Sequence, residues 1–256
     1  MTNTNTWDLV VVGAGPAGAS AALAALAEQA TARVLLLDRA DFPRDKPCGD
    51  GVAPHAVDVL ADLGVGDVTV GFTPVRQLHL GYPHGGAGTG AVTGEMRRPA
   101  HVIPRQVFDA RITEAALAAG AQWRRHRVRT VEDHGDHIQV DDIRARVVVA
   151  ADGAESTVRR VLGIERNADG HRAVAIRGYA PVRPDLATQQ RIVFGPRDWP
   201  AYAWSFPIGD GRANVGYGEV LRPGGSLTRE HLLQRLEDLL PGASSGGMQC
   251  RGREED

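Results

Sequence analysis

Three glycines, Gly13, Gly15 and Gly18, stand in the spacing G-x-G-x-x-G, written GAGPAG with Ala17 just before the last. At that spacing Gly13 permits a tight turn, Gly15 lets a pyrophosphate approach the main chain, and Gly18 lets a helix pack closely on a strand. The N–H groups at the start of the helix would then face the phosphates. The pattern is weak alone and gains weight from its surroundings. An apolar run at 7–12 ends at Gly13, and a helix is predicted over 16–30, with Pro16 in the first turn where a missing N–H does no harm. A second apolar run at 33–38 ends in Asp38, 20 residues after Gly18. A carboxylate there accepts hydrogen bonds from ribose hydroxyls and repels a 2′-phosphate, which favours FAD or NAD over NADP. The adjacent Arg39 weakens that preference, and the fingerprint does not separate FAD from NAD.

These pieces predict the opening βαβ unit of an α/β, Rossmann-type domain with a parallel sheet. A helix is expected at 54–63, then short alternating runs broken by glycine at 71–100. A further helix is predicted over 105–119, with Phe108, Ile112, Ala115 and Ala119 on one face. Strands are expected at 123–131, 136–140 and 143–150. Past 170 the pattern is mostly β, near 172–182, 190–195, 201–208 and 212–219, with a closing helix at 228–239. The expected layout is a discontinuous dinucleotide-binding domain at 1–70 and 100–170. A β-rich (α+β) substrate domain takes 71–99 and 171–240, and 241–256 reads as a disordered polar tail.

Composition narrows the function classes. With 43% hydrophobic and 23% charged residues the chain can build a core, and a net charge of -2 leaves no electrostatic footprint for nucleic acid. Cys48 and Cys250 are too far apart in sequence to suggest a disulfide framework or a zinc site. No stretch approaches the roughly 18 to 20 apolar residues of a membrane span, and residues 1–6 are polar, unlike a signal peptide. A cytoplasmic protein is expected, with peripheral membrane association left open. His134 and His137 flank Gly135 and Asp136 in what reads as a hairpin turn, so no metal site is expected. The glycine run at 81–90 lacks the Lys-Ser or Lys-Thr of a phosphate loop, and no nucleophile triad is present to suggest a hydrolase.

Four stretches carry a likeness to known proteins: GAGPAG at 13–18, KPCGDG at 46–51, ADGAES at 151–156 and YAWSFPIG at 202–209. Together they resemble the para-hydroxybenzoate hydroxylase-like flavoproteins and, within them, the geranylgeranyl reductase family, over nearly all of residues 7–240. The resemblance implies a FAD-dependent oxidoreductase that reduces carbon–carbon double bonds of a prenyl chain. Its partner would be a small-molecule or isoprenoid substrate, with NAD(P)H a candidate electron donor. It also assigns roles. Asp152, Gly153, Ser156 and Arg159 form a second nucleotide-contacting element, and Arg105 reaches the phosphate or ribityl region. Cys48 and Gly49 lie close to flavin and substrate, with Cys48 the candidate catalytic residue. Tyr202, Trp204 and Phe206 line the prenyl channel.

Plainer readings of the same residues stay open. Asp-Gly is a common turn, a cysteine without a partner packs as a small apolar residue, and strand aromatics can simply be core. Against these, Arg105 at a helix start opposes the helix dipole unless an anion lies nearby. Period two places Tyr202, Trp204 and Phe206 on one face, where burying a long isoprenoid is worth roughly 25 cal/mol per Å². The family's third cofactor segment, Gly-Asp-Ala, has no counterpart here, so the sequence reads as a C-terminally truncated member. Two alternatives remain. One is a flavin-dependent monooxygenase or halogenase, although the halogenase W-x-W-x-I-P differs from YAWSFP at its first and fifth positions. The other is a nucleotide-binding remnant without activity.

Overall fold

A computed structural model describes residues 6–82, 90–195, 200–243 and 248. Most of the glycine run (83–89) and of the tail (244–247 and 249–256) lies outside the described residues. In chain order the first elements are β1 (Thr6–Val12), α1 (Pro16–Glu28), β2 (Val34–Asp38), β3 (Gly51–Val52), α2 (Pro54–Asp62), β4 (Val75–Gly81), β5 (Ala91–Val102) and α3 (Arg105–Ala118). Next come β6 (Gln122–Arg125), β7 (Val131–Asp133), β8 (Ile138–Val140), β9 (Ile143–Ala150) and α4 (Thr157–Val161). The last are β10 (Ala173–Pro181), β11 (Gln189–Phe194), β12 (Ala201–Pro207), β13 (Arg212–Val220) and α5 (Arg229–Leu239). Among the described residues no helix is long and apolar enough to cross a membrane.

The chain divides into two units. The first comprises Met1–Lys46, Val57–Val68 and Arg105–Arg166, and the second Pro47–Ala56, Thr69–Pro104 and Asn167–Asp256. Residues 47–56, read from sequence with the dinucleotide domain, thus group with the second unit. The first unit is built on a six-stranded sheet ordered β6-β2-β1-β9-β8-β7, in which β6, β2, β1 and β9 run parallel. Val10 to Val12 and Val34 to Leu37 are all buried, as expected of parallel strands covered on both faces. Val10, Val12, Leu35 and Leu37 share one apolar cluster with Val128, Val140 and Val158. The order reverses at β1, which has β2 on one side and β9 on the other. In sheets of this kind the crevice at the carboxyl ends of such strands is the binding position.

Two local expectations need correction. The strand predicted over 123–131 is broken. Its start, β6, lies parallel to β2, while its end, β7, pairs antiparallel with β8. The break is held by Asp141, a left-handed residue whose carboxylate bonds to His126 Nε2, to the N–H groups of Arg129 and Thr130 and to the Thr130 hydroxyl. On α3 the buried face holds Phe108 and Ile112 as expected, but continues through Asp109, Thr113 and Ala116, whereas Ala119 is exposed. Thr113 turns inward because its hydroxyl donates to the Ala14 carbonyl at 3.1 Å. The 133–137 segment is a hairpin turn, with Asp133 accepting the N–H of Gly135.

The second unit carries a seven-stranded sheet ordered β10-β13-β12-β11-β4-β5-β3, antiparallel except for the β11–β4 pair. Helix α5 covers one face, where Ala201, Ala203 and Tyr217 meet Leu232, Leu236 and Leu239. Ala243 and Met248, within the tail read as disordered, pack against the same cluster. The alternate residues of β12 therefore project from the face opposite α5.

At Gly18 a Cβ would overlap the carbonyl oxygen of Gly13. Gly18→Ala is expected to cost more than about 3 kcal/mol, or to prevent folding. Urea unfolding reads this, and a loss below about 0.5 kcal/mol, the range of an ordinary surface change, would contradict the close helix–strand contact.

Candidate functional site

Helix α1 begins at Gly15, which caps it without a side-chain bond, and its first turn holds no acidic residue. The partial positive charge and unpaired N–H groups of a helix start are thus left for an external anion. A side chain at Gly15 would meet Nη2 of Arg44 at 3.6 Å and Nη2 of Arg105 at 3.8 Å, so two guanidinium groups border the space beside this glycine.

What holds those cations is Asp109, a fully buried carboxylate on α3. Arg105, one helical turn earlier, grips it with Nε at 2.5 Å and Nη2 at 2.7 Å. Arg44 reaches it with Nη1 at 3.1 Å while its Nη2 lies 3.2 Å from Asp38. Asp38, at the end of β2, also accepts the N–H of Ala14 at 3.1 Å and of Ala40 at 3.1 Å. A carboxylate offers about four acceptor positions, so these three bonds leave room for a hydroxyl. The Asp38 side chain is directed at the turn between β1 and α1, as the sequence predicts.

Lys46 is the third cation. Its ammonium lies 2.8 Å from where a Cβ at Gly153 would be, and Gly153 is in the left-handed region that favours glycine. Lys46 is exposed as a whole residue, yet partial desolvation of its ammonium, reinforced by the Arg105 and Arg44 charges, holds its pKa below the ordinary value against the opposing pull of Asp109 and Asp38. Three cations against two carboxylates, beside a helix start, form a place that an anion would stabilise. Asp152 closes it after β9. Its carboxylate accepts from the Ser156 hydroxyl and from the N–H groups of Thr157 and Val158. Ser156 caps α4 by accepting the N–H of Arg159, whose guanidinium donates to the Glu165 carbonyl. In this arrangement Asp152 and Ser156 serve the start of α4, while the Arg159 side chain turns to the segment that follows the helix. Ala17 and Arg39 are exposed.

The second unit gathers the other sequence-predicted residues. Tyr202, Trp204 and Phe206 share one face of β12, and the row extends sideways. Tyr82 stacks on Phe194 at 5.2 Å, Phe194 meets Tyr202 at 6.3 Å, and Tyr202 meets Trp204 at 6.0 Å. Exposure falls along it, from 43% at Tyr202 to 7% at Trp204. The KPCGDG loop lies on its buried end. A Cβ at Gly49 would be 3.5 Å from the Phe206 ring and 3.6 Å from Trp204 Nε1. Cys48 is half-buried and, among the described residues, has no disulfide partner.

Sequence reasoning missed Arg44, Asp109, Asp50, Tyr179 and Asn214. Only Asp109 carried a signal, standing four residues after Arg105 on a predicted helix, the spacing at which opposite charges meet.

Fold and site together define a Rossmann-type dinucleotide-binding architecture with a second, sheet-built unit. The FAD binding domain family matches residues 6–203, and the chain belongs to that family. Among curated relatives, the menaquinone reductase of Mycolicibacterium smegmatis is 35% identical over 233 residues, covering 83% of this chain and 55% of that protein. Digeranylgeranylglycerophospholipid reductase 2 of Methanopyrus kandleri is 32% identical over 248 residues, covering 91% of this chain and 60% of that protein. The chain thus spans little more than half the length of these relatives. A geranylgeranyl bacteriochlorophyll reductase-like protein from Thermoplasma acidophilum shares the fold with a TM-score of 0.75 at 23% identity, covering 96% of this chain and 64% of that one. A mutant of halogenase PltM, solved in complex with FAD, shares it with a TM-score of 0.74 at 17% identity, covering 97% of this chain and 59% of that one.

An anion beside Lys46 would restore its affinity for a proton. ADP binding is therefore expected to take up protons at alkaline pH and to weaken as pH rises through the depressed Lys46 pKa, below the ordinary 10.5. Calorimetric titration in buffers of different ionisation heat measures this. Lys46→Met should abolish the dependence, and an unchanged dependence in that variant would exclude Lys46.

Proposed function

We propose that the chain is the nucleotide- and substrate-binding part of a FAD-dependent reductase acting on carbon–carbon double bonds of a prenyl chain. The observation that carries the substrate class is the continuous aromatic row from Tyr82 through Phe194 and Tyr202 to Trp204, ending beneath the Cys48 loop. A long isoprenoid laid along that row buries apolar surface at roughly 25 cal/mol per Å². The names of the relatives support it, since menaquinone and digeranylgeranylglycerophospholipid both carry isoprenoid chains. Such substrates reside in membranes, so peripheral contact of an otherwise cytoplasmic protein follows from the reading.

The first unit fits the cofactor. Gly13, Gly15, Ala17 and Gly18 would present main chain to the pyrophosphate, with Arg44, Lys46 and Arg105 neutralising its charge. Asp38, beside Arg39, would accept from ribose hydroxyls, and the Asp152–Gly153 turn, fixed by Ser156 and Arg159, would border the ribityl side. Flavin, when bound, supplies the hydride chemistry. The protein's part is to orient the substrate and exclude water, with Tyr202, Trp204 and Phe206 as the apolar wall and Gly49 giving close approach. Cys48, at the head of the loop on that wall, is the group proposed to meet the reacting carbons, and NAD(P)H is the proposed electron donor.

Purified protein supplied with FAD and then freed of unbound cofactor should stay yellow through retained flavin. After anaerobic reduction it should add hydrogen to a geranylgeranyl lipid or to the side chain of menaquinone, read by mass spectrometry. Trp204→Ala should raise KM roughly tenfold or more through lost apolar contact. Oxygen consumption coupled to hydroxylation or halogenation of an aromatic compound would instead support the monooxygenase or halogenase class. A colourless protein that fails to take up FAD would overturn the flavoenzyme reading.

A further inference from the structure

Asn214, fully buried on β13, joins two segments that are distant in sequence. Its Oδ1 accepts the indole N–H of Trp204 at 2.9 Å. Its Nδ2 donates to the Cys48 carbonyl at 2.8 Å and to Asp50 Oδ2 at 2.7 Å. The partners are one donor and two acceptors, and the asparagine amide, with one acceptor and two N–H donors, satisfies all three in a single orientation. A flipped amide would set donor against donor and acceptor against acceptor.

The surroundings leave this arrangement little slack. Asp50 is a buried, left-handed residue, and its Oδ2 also accepts the Tyr179 hydroxyl at 2.5 Å. Phe206, Asn214 and Tyr179 sit directly opposite one another on β12, β13 and β10. Trp204 is backed by Gly216, where a Cβ would overlap its ring. Gly49 and Gly51 lie with bare backbone 3.5 to 3.7 Å from the Phe206 ring, measured from where their Cβ atoms would be.

We infer that Asn214 is a positioning residue: it sets the Cys48 loop on the aromatic strand, so that the Cys48 thiol and the Trp204 ring present one fixed surface to the substrate. The inference rests on the prenyl-reductase reading for the identity of that substrate and on the hydrogen bonds alone for the positioning.

The test uses the full chain and reads the rate at which iodoacetamide alkylates Cys48, from the mass of its peptide, relative to the parent protein at each pH. Melting is followed in parallel. Asn214→Leu removes all three bonds and should change the relative rate at least about fivefold at every pH, the effect of losing a buried hydrogen bond. In Asn214→Asp the new carboxyl lies beside Asp50 in a buried site, which favours its protonated form. Protonated, it returns one O–H donor. Its relative rate should stay near that of the parent at low pH and depart as pH rises, a profile that loss of stability alone would not produce. Should Asn214→Leu fail to fold, Asn214→Asp and Trp204→Phe, which removes the indole N–H together with part of the ring, carry the same readout. Parent-like rates at all pH in folded variants would overturn the inference. If the rates shift as expected but the parent reduces no prenyl substrate, the positioning role stands and the substrate reading fails.

Discussion

The first unit depends on one buried carboxylate. Asp109 has no access to solvent, and a charge in that position is tolerable only when it is paired and hydrogen-bonded. Arg105 supplies a bidentate grip from the preceding helical turn, and Arg44 adds a third bond from a loop more than sixty positions away in the chain. By neutralising these cations Asp109 lets them stand together beside the start of α1, where the helix dipole alone would repel them. Leaving such a group with one partner removed typically costs about 3–5 kcal/mol. The binding feature and the structural feature are therefore the same group of atoms.

The three strands that end at this point explain its composition. β2 delivers Asp38, β1 delivers Gly13 and Gly15, and β9 leads into Asp152 and Gly153, all at the carboxyl edge of a parallel sheet whose order reverses at β1. The second unit solves a different problem by the same economy of alternation. Residues of β12 pointing one way are small, Ala201 and Ala203, and admit α5, while those pointing the other way are aromatic. One seven-residue strand thus builds a core on one face and an apolar wall on the other.

Much of this was legible in the residues. β1, α1 and β2 could be placed because buried parallel strands read as unbroken apolar runs and glycine spacing marks the turn between them. The common face of Tyr202, Trp204 and Phe206 followed from period two. What could not be read depends on bonds between distant residues. Asp141 breaks the strand expected over 123–131 through contacts up to 15 positions back, and Thr113 rotates the buried stripe of α3 through a bond to Ala14. Arg44 lies in a Pro- and Gly-rich loop whose path no local pattern specifies. Asn214 looks in sequence like an ordinary polar residue in a strand, and only its three partners, two of them about 165 positions away, give it meaning.

The most direct measurement of the anion site is FAD affinity in Gly15→Ala. The added methyl would lie 3.6 and 3.8 Å from the nearest side-chain atoms, ordinary contact distances, so the fold should survive with an unchanged melting temperature. It would nevertheless occupy the space through which a pyrophosphate reaches the main chain and the Arg44 and Arg105 guanidinium groups. The expected result is a loss of FAD affinity of at least about tenfold, equivalent to ~1.4 kcal/mol, in a protein of parental stability. Parental affinity in that variant would contradict a dinucleotide site at the start of α1.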